Sequence, residues 1–291
     1  MNFKRKKEFL VAVDSDGSVF PTMDIKQKEC IHPAIMDRWD LWKIEKEVRM
    51  VAEWVNLHSA HRGTNRFLAL KMVFDYLRDM PEVKAEGAVI RPTEDLGGFL
   101  RSGLPISNEA LIEYAAEHPE LNDVLDWSRS VNKRIAERCR KIPSFPFVRE
   151  SLEKLRAASD LVVVSATPTE TLISEWRESG LDQLADSIAG QEFGSKQEQL
   201  RIFRVGEYAP DRVLMIGDAL GDLKAMKEFG GLFFPINPGR ESLSWKRFFD
   251  ESVNRFLSGA YAGTYESFLI REFETILTEK LNWTIPTTRL C

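Results

Sequence analysis

The sequence predicts an α/β protein with a Rossmann-like parallel sheet core, into which an all-helical cap domain is inserted. Short apolar runs lead directly into polar clusters, as buried strands of a parallel sheet do. Helical patterns alternate with these runs after residue 144, which favours right-handed crossovers. Residues 23–143, between the first and second runs, show helical patterns and no strong strand signal.

Four apolar runs are the predicted strands of the sheet: residues 9–13, 160–164, 212–216 and 231–237. The first three lead into polar clusters that begin at Asp14, Ser165 and Gly217. Ligand sites of open parallel sheets lie beyond the carboxyl ends of the strands. We therefore expect these polar clusters to meet at one edge of the sheet.

Helical patterns fill most of the remaining chain. In the predicted core, residues 1–22 and 144–291, helices are expected at 147–158, 170–180, 196–205, 220–229, 242–257 and 265–281. The last two are expected to pack against the core. Within the predicted cap, residues 92–105 contain Gly and Pro and are interpreted as a connection before a helix at 108–117.

Composition narrows the function classes. The net charge of −5 gives no indication of binding to nucleic acid or to a membrane surface. No stretch approaches the roughly 18 apolar residues of a membrane span, and the apolar run after the basic start is too short for a signal peptide. These features predict a cytoplasmic soluble protein. The three cysteines, Cys30, Cys139 and Cys291, and the four histidines form no disulfide framework or zinc motif.

The first acidic cluster follows the first predicted strand. Asp14 and Asp16 are two residues apart, so their side chains would face the same side if the strand continued. Gly17 permits a sharp turn directly after them. Two adjacent carboxylates repel each other unless a cation lies between them. This segment is therefore a candidate metal and catalytic site.

The second acidic cluster follows the third predicted strand. Asp218 and Asp222 are four residues apart and would share one face of a helix that begins there. Capping of that helix is the alternative, since acidic residues are favoured near a helix N-terminus. If the first and third predicted strands are close in the sheet, the carboxylates of both clusters converge. Oxygen ligands without His or Cys favour Mg²⁺ over zinc.

Two further segments are candidates for phosphate binding. Ser165, Ala166 and Thr167 end the second predicted strand, where a hydroxyl and backbone N–H groups can hold phosphate oxygens. The alternative is that Ser165 or Thr167 only caps the following helix. Lys196 precedes another helical run and could neutralise charge between a nucleophile and a phosphate, or could be an ordinary solvated lysine.

The order of these motifs resembles that of the haloacid dehalogenase-like hydrolase superfamily. The motifs are residues 11–20 with Asp14 and Asp16, residues 163–167 with Ser165, then Lys196, and residues 215–222 with Asp218 and Asp222. The resemblance covers residues 9–22 and 144–238. The helical insert lies where members with a C1 cap, such as phosphoglycolate-phosphatase-like enzymes, carry their cap. Ser18 stands where the family commonly has Thr.

The resemblance implies a role for each residue. Asp14 attacks phosphorus and forms an aspartyl-phosphate, and Asp16 acts as general acid and then as general base. Ser165, with Ala166 and Thr167, holds the phosphoryl group, and Lys196 offsets its charge. The implied Mg²⁺ ligands are Asp14, Asp218 and the backbone carbonyl of Asp16, and Asp222 either binds the ion directly or orients a ligand water. The expected activity is that of a phosphoric monoester hydrolase.

A large cap would hinder access by a protein substrate, so we expect a small phosphorylated metabolite. Arg62 or Arg66 of the cap could contact an anionic substrate, or could lie in a solvated turn. A phosphomutase on the same scaffold and a non-catalytic phosphoacceptor protein remain alternatives. A nucleotide-sugar transferase that uses the DxD pair would leave Asp218, Ser165 and Lys196 unexplained.

Overall fold

The computed structural model describes residues 3–278. Five parallel strands form one sheet in the order β3-β2-β1-β4-β5, with β1 in the middle between β2 and β4. The predicted α/β class is confirmed, and four of the strands lie where apolar runs predicted them. The strands are β1 (Phe9–Val13), β2 (Ser159–Val164), β3 (Ser187–Ala189), β4 (Val213–Gly217) and β5 (Leu232–Pro235).

The sheet is covered on both faces. Val11 and Val13 of β1 pack into one apolar cluster, and Leu10 and Ala12 pack into another. Alternate residues of a strand point to opposite faces, so these clusters lie on the two sides of the sheet. A strand buried on both faces is apolar at every position, which is why β1 and β4 stand out as continuous apolar runs.

Strand β3 was not predicted. It has three residues and pairs only with β2, at the edge of the sheet. Ser187 and Ile188 are only partly buried. A run this short, with a polar residue and no alternation, lacks the pattern that identifies a strand.

Helices are the regular elements of the described chain between Thr22 and Arg138, apart from one isolated bridge at Ser59. They surround an apolar core of their own, which includes Trp54, Phe74 and Trp127. The predicted limits of the cap, residues 23–143, remain a prediction. The helices are α1 (Thr22–Ile25), α2 (His32–Trp39), α3 (Glu45–Glu53), α4 (Arg66–Asp79), α5 (Pro81–Ala85), α6 (Glu94–Arg101), α7 (Asn108–Ala115) and α8 (Asn122–Arg138), with π-helical turns at Lys26–Ile31 and Trp54–His58 and 3₁₀ turns at Trp42–Ile44 and Pro119–Leu121.

The interpretation of residues 92–105 as an irregular connection was wrong, because α6 lies within them. Two adjacent glycines weaken a helix in isolation. Here Leu96 and Phe99 are fully buried in the apolar core of the cap. Tertiary packing of these two side chains therefore outweighs the low helix propensity of the glycines.

The remaining helices belong to the core, and the C-terminal ones pack on the sheet as expected. Trp245, Phe256 and Leu269, one from each of the last three α-helices of the described chain, lie in the same apolar cluster as Val11 and Val13 of β1. Predicted helix residues beyond 278 lie outside the described chain. None of the helices within residues 3–278 is long and apolar enough to cross a membrane. The helices are α9 (Val148–Arg156), α10 (Thr169–Glu178), α11 (Lys196–Ile202), α12 (Leu220–Lys227), α13 (Glu241–Arg247), α14 (Val253–Leu257) and α15 (Thr264–Ile276), with a π-helical turn at Phe248–Ser252 and 3₁₀ turns at Asp182–Leu184, Gln191–Phe193, Val205–Glu207 and Pro210–Arg212.

Candidate active site

The two acidic clusters meet at the carboxyl ends of β1 and β4. The backbone N–H of Asp14 donates to the carbonyl of Ile216 at 2.9 Å, which continues the pairing of the two strands. One carboxylate oxygen each of Asp14, Asp218 and Asp222 lies within 4.8 Å of the others, and all three side chains are buried. The carboxylates were expected to converge if the first and third predicted strands were close in the sheet. These strands are β1 and β4, which are neighbours.

Gly17 makes this close approach possible. Its φ is +77°, in the left-handed region that glycine adopts without steric penalty. A Cβ at this position would lie 2.2 Å from Oδ2 of Asp218 and 2.7 Å from Nη2 of Arg62. The turn after Asp14 therefore requires glycine both for its backbone conformation and for the space that the neighbouring side chains occupy.

Lys196 lies in the acidic cluster. Its Nζ is 2.9 Å from Oδ1 of Asp14 and also contacts Oδ1 of Asp222. It is the first residue of α11, where Ser195 and Glu198 form a capping box that fixes the start of the helix. The alternative of a solvated surface lysine is wrong.

Burial and mutual repulsion shape the electrostatics of the cluster. Burial raises the pKa of Asp14 well above its usual value, with added repulsion from Asp222 and Asp218, while Lys196 acts in the opposite direction. Burial also raises the pKa of Asp222. For Lys196, the attraction of Asp14 and Asp222 outweighs burial and raises the pKa of the ammonium group. The acids thus lie in a setting where additional positive charge would stabilise their ionised forms.

The donor set fits a hard divalent cation. The cluster of Asp14, Asp218 and Asp222 supplies carboxylate oxygens and contains no imidazole or thiolate ligand. Carboxylate oxygens are the ligands that Mg²⁺ prefers, and zinc sites use His or Cys more often. Asp222 has a second contact, since its Oδ2 accepts a 3.2 Å hydrogen bond from the N–H of Ala219 and so caps α12. Asp222 therefore caps α12 and also belongs to the acidic cluster.

The segment after β2 faces the same site. The hydroxyl of Ser165 accepts a hydrogen bond from the N–H of Thr167 at 3.2 Å, and Thr167 Oγ1 donates to Oδ2 of Asp16 at 2.7 Å. Ala166 is exposed between them. Neither hydroxyl caps α10, because that helix begins at Thr169 after Pro168 without a side-chain cap. The alternative that these residues serve only as helix caps is wrong.

Gln199 is a site-forming residue that the sequence did not reveal. Its Oε1 accepts from the N–H of Ser165 at 3.0 Å, and its Nε2 donates to the carbonyls of Ser165, Gly190 and Gly194 at 2.9, 3.1 and 3.0 Å. The side chain is fully buried. It therefore holds the end of β2 against the start of α11. An isolated glutamine in a helix carries no sequence signal for such a contact.

Asp16 lies apart from the acidic cluster. Strand β1 ends at Val13, so the two aspartates do not share a face as a continued strand would require. The carboxylate of Asp16 instead accepts hydrogen bonds from Lys26, Thr22 and Thr167. Burial alone would raise its pKa, but Lys26 and these hydrogen bonds lower the pKa overall. A contact of the Asp16 carbonyl with a metal remains a prediction.

Arg62 of the cap reaches into the acidic cluster. Its Nε and Nη2 lie 2.8 and 2.5 Å from Oδ2 of Asp218, and both side chains are 1% exposed. Ser18 donates to the other oxygen of Asp218 at 3.0 Å. The interpretation of this position as a solvated turn was wrong for Arg62. Arg66 stays within the cap, where it donates to Asn132 at 2.5 Å.

Comparisons with known proteins give likenesses of structure only. No protein-family model matches the sequence. No curated protein matches it. Among solved structures, the chain is similar to a candidate phosphoglycolate phosphatase from Lactobacillus delbrueckii subsp. bulgaricus, with 17% identity, 94% of this chain and 99% of that chain covered, and a TM-score of 0.48.

Two more of the similar structures come from other bacteria. A predicted phosphoglycolate phosphatase from Haemophilus somnus 129PT has 16% identity, with 81% of this chain and 85% of that chain covered and a TM-score of 0.46. A haloacid dehalogenase-like family hydrolase from Xanthomonas campestris has 13% identity, with 87% and 97% covered and a TM-score of 0.42.

Proposed function

We propose that this chain is a magnesium-dependent phosphatase of the haloacid dehalogenase-like type, which hydrolyses a small phosphorylated metabolite through an aspartyl-phosphate. One observation carries the proposal. The carboxylate of Asp14 lies among Lys196, Asp218 and Asp222 at the ends of neighbouring strands, so a nucleophile, a cation and a set of metal ligands are combined in one buried site. An aspartate nucleophile is competent because its carboxylate can attack phosphorus without losing a proton first.

The first half of the reaction transfers the phosphoryl group to Asp14. An oxygen of the Asp14 carboxylate attacks phosphorus, and the bond between phosphorus and the leaving oxygen breaks. We assign the proton of the leaving oxygen to Asp16, since an alkoxide leaves poorly without one. For this step Asp16 must leave Lys26 and bind a proton, because in the described arrangement Lys26 lowers its pKa. The ammonium of Lys196, 2.9 Å from Asp14, keeps its proton and offsets the charge that gathers on the phosphoryl oxygens.

The second half returns Asp14 to its starting state. Asp16, now ionised, takes a proton from a water molecule that attacks the phosphorus of the aspartyl-phosphate. Inorganic phosphate leaves, and the acid form of Asp16 is restored. Ser165 directly follows β2, the strand next to β1, and its neighbour Thr167 contacts Asp16, so in this proposal the Ser165 hydroxyl holds a phosphoryl oxygen.

Magnesium is the cation that this donor set favours. Asp14, Asp218 and Asp222 would hold it. When bound, it supplies positive charge next to the transferring oxygens, which stabilises the transition state and favours the ionised form of Asp14. Burial raises the pKa of Asp14, so added positive charge would favour its ionised form.

The cap supports a small substrate. Arg62 covers the acidic cluster from the cap side, and its side chain is 1% exposed. A site closed in this way excludes bulk water and would hinder access by a protein surface, which favours a small phosphate ester as the substrate. Arg62 carries the positive charge that could contact an anionic group of the substrate, because a guanidinium binds phosphate and carboxylate in the same fork geometry.

The test is hydrolysis of a panel of phosphorylated sugars, nucleotides and small acids, with Mg²⁺ and with EDTA. We expect release of inorganic phosphate that requires Mg²⁺ and no bisphosphate activator, which separates a phosphatase from a phosphomutase. Asp14→Asn should lower kcat by at least about 1,000-fold, as loss of a nucleophile does.

A matched control is Asp211→Asn, since the Asp211 side chain is 57% exposed and precedes the first residue of β4, at the opposite end of that strand from Asp218. This variant should keep the wild-type rate. Hydrolysis by Asp14→Asn at the wild-type rate would show that Asp14 is not the nucleophile.

A further inference from the structure

Arg62 of the cap contacts Asp218, one of the acids expected to hold a metal ion. Its Nε and Nη2 lie 2.8 and 2.5 Å from the same oxygen, Oδ2 of Asp218, and both side chains are 1% exposed. Charge-assisted hydrogen bonds of this kind are among the stronger polar contacts in proteins. The guanidinium therefore uses one of the two oxygens that Asp218 can offer to a metal ion.

The other carboxylate oxygens of the acidic cluster also have donors in the described arrangement. The Ser18 hydroxyl lies 3.0 Å from Oδ1 of Asp218 and 3.3 Å from Oδ2 of Asp14. Lys196 contacts Oδ1 of Asp14 and Oδ1 of Asp222. A backbone N–H at the start of α12 donates to Oδ2 of Asp222 at 3.2 Å. A metal ion must therefore displace a donor of the cluster or bind beside it.

Charge decides which of these donors an ion displaces. Ser18 and the backbone N–H are neutral, so an ion can bind beside them. Arg62 is positive, and a second positive charge on the same carboxylate oxygen is strongly unfavourable in a buried site. Lys196 is also positive, but its ammonium lies between the two other acids and is anchored in the core by the capping box of α11. The donor that competes with the ion is therefore Arg62.

The formal charges of the site favour an exchange of Arg62 for a divalent cation. Lys196 and Arg62 together leave one negative charge of the three ionised acids uncompensated. Replacement of Arg62 by a divalent cation would make the site neutral, whereas both together would leave an excess positive charge. A buried site of this kind is most stable when its charges are balanced.

The turn of residues 59–64, which carries Arg62, is seated on the core segment that follows β4. Nη1 of Arg62 donates to the carbonyl of Leu57 at 2.9 Å, which fixes the direction of the side chain within the cap. A Cβ at Gly63 would lie 3.2 Å from Cβ of Ala219, so the backbone of the turn closely approaches the start of α12. Displacement of the guanidinium would therefore remove the ion pair that holds this turn against the core.

We propose that Arg62 is an internal competitor of the divalent cation, which holds Asp218 until the ion displaces it. This inference rests on the metal site of the proposed function. Binding of the ion and release of Arg62 are then one exchange. By linkage, Arg62 weakens the binding of the ion, and the ion weakens the attachment of the turn 59–64 to the core by the same factor. The released guanidinium is then free to bind an anionic group of a substrate.

Calorimetric titration with Mg²⁺, after removal of bound metal with EDTA and removal of the EDTA, measures the competition. For Arg62→Gln we expect the Kd for Mg²⁺ to be at least about 10-fold lower than that of the wild type, because no cation has to be displaced. Arg66→Gln removes the same charge from a cap position that contacts Ser128 and Asn132. This matched control should keep the Kd of the wild type.

Amide hydrogen exchange separates displacement of Arg62 from simple charge repulsion. In the wild type, Mg²⁺ should speed exchange in residues 57–65 by about 10-fold or more, since the turn loses its ion pair with the core. In Arg62→Gln these amides should exchange as fast without Mg²⁺ as with it. Helix α6, whose Leu96 and Phe99 are buried in the apolar core of the cap, is the internal control and should not change.

The outcomes separate this inference from the proposed function. An equal Kd for wild type and Arg62→Gln would overturn the competition and leave the phosphatase and its metal site in place. Exchange in residues 57–65 of the wild type that Mg²⁺ slows or leaves unchanged would do the same, and this measurement decides if Arg62→Gln does not fold. If neither protein binds Mg²⁺, the metal site of the proposed function is overturned and the competition with it.

Discussion

The core and the cap hold their buried charged groups in different ways. In the core, Asp14, Lys196, Asp218 and Asp222 meet at one place. In the cap, charged side chains form small local groups and do not meet at one common place. Arg91, for example, pairs with Asp95 and Asp123 at 2.6 Å each, inside the cap.

The difference follows from secondary structure. The ends of parallel strands must lie side by side, so polar residues after β1 and β4 are brought together by the backbone alone. Helices have no such common edge, and each polar side chain of the cap finds its own partner. Among the side chains of residues 3–278, Lys26 and Arg62 are the ones that leave the cap to form ion pairs with acids of the core. The core therefore holds its site by backbone geometry, whereas the cap adds to it through long side chains.

The largest effect is expected from Gly17→Ala in the core. The added methyl group would collide with Asp218 and Arg62, and alanine is strained at a φ of +77°. We expect the free energy of unfolding to fall by about 5 kcal/mol, as when a buried ion pair is broken and backbone strain is added. Urea unfolding measures the change.

The matched control for this variant is Gly103→Ala in the cap. Gly103 has a φ of +81°, and a Cβ there would have nothing within 4 Å. It should lose only the strain, about 1–2 kcal/mol. Equal losses in the two variants would show that crowding at the strand end contributes nothing.

A smaller effect is expected from Arg62→Gln in the cap. The change leaves Asp218 buried without its cationic partner, which should lower the free energy of unfolding by about 3 kcal/mol in EDTA. Mg²⁺ should restore more stability to this variant than it adds to the wild type, because the cation replaces the lost charge. Thermal unfolding with increasing Mg²⁺ measures both effects.

Arg66→Gln is the control for the magnesium response, since Arg66 contacts Asn132 and Ser128 within the cap and, among residues 3–278, no acid of the core. Its response to Mg²⁺ should equal that of the wild type. If Mg²⁺ stabilises Arg62→Gln only as much as it stabilises the wild type, the cation does not replace the charge of Arg62, and the prediction is wrong.

The smallest effect concerns the pH dependence of the cap. Burial, with Arg49 and Lys28 nearby, lowers the pKa of His32 from 6.5 to about 3, and neither ring nitrogen has a partner within residues 3–278. His32 is therefore neutral in the folded protein, while the unfolded chain binds a proton below pH 6.5. Stability from this group is complete above pH 6.5 and is lost as the pH falls toward 3.

The test compares wild type with His32→Leu by urea unfolding at pH 7 and pH 5. Between these two pH values, the free energy of unfolding of the wild type should fall by about 2 kcal/mol more than that of the variant. The reason is that the unfolded wild-type chain binds a proton at His32, which the variant lacks. The carboxylates contribute equally to both proteins and cancel. His118→Asn, at a side chain that is 39% exposed, is the control and should follow the wild type. Parallel pH curves for wild type and His32→Leu would contradict the prediction.

Much of the core could be predicted from the sequence. Strands β1, β2, β4 and β5 are apolar on both faces, so their positions could be recognised without a structure. The convergence of Asp14 with Asp218 and Asp222 followed from the placement of polar residues after parallel strands. The chain order of the motifs then indicated Lys196. The strands and the meeting of the carboxylates could be predicted because they depend on local pattern and on one rule of sheet geometry, whereas only the resemblance in motif order indicated Lys196.

The tertiary structure alone decided which polar side chains from distant segments of the chain pair with each other. The sequence predicted that Asp14 and Asp16 lie together, but in the structure Asp14 pairs with Lys196 and Asp16 pairs with Lys26. Gln199 and Arg62 are isolated polar residues whose partners lie far along the chain. Periodicity reports which side of a helix is buried, but not which distant residue a long polar side chain will reach. That choice depends on how cap and core pack, so it is made only in the folded protein.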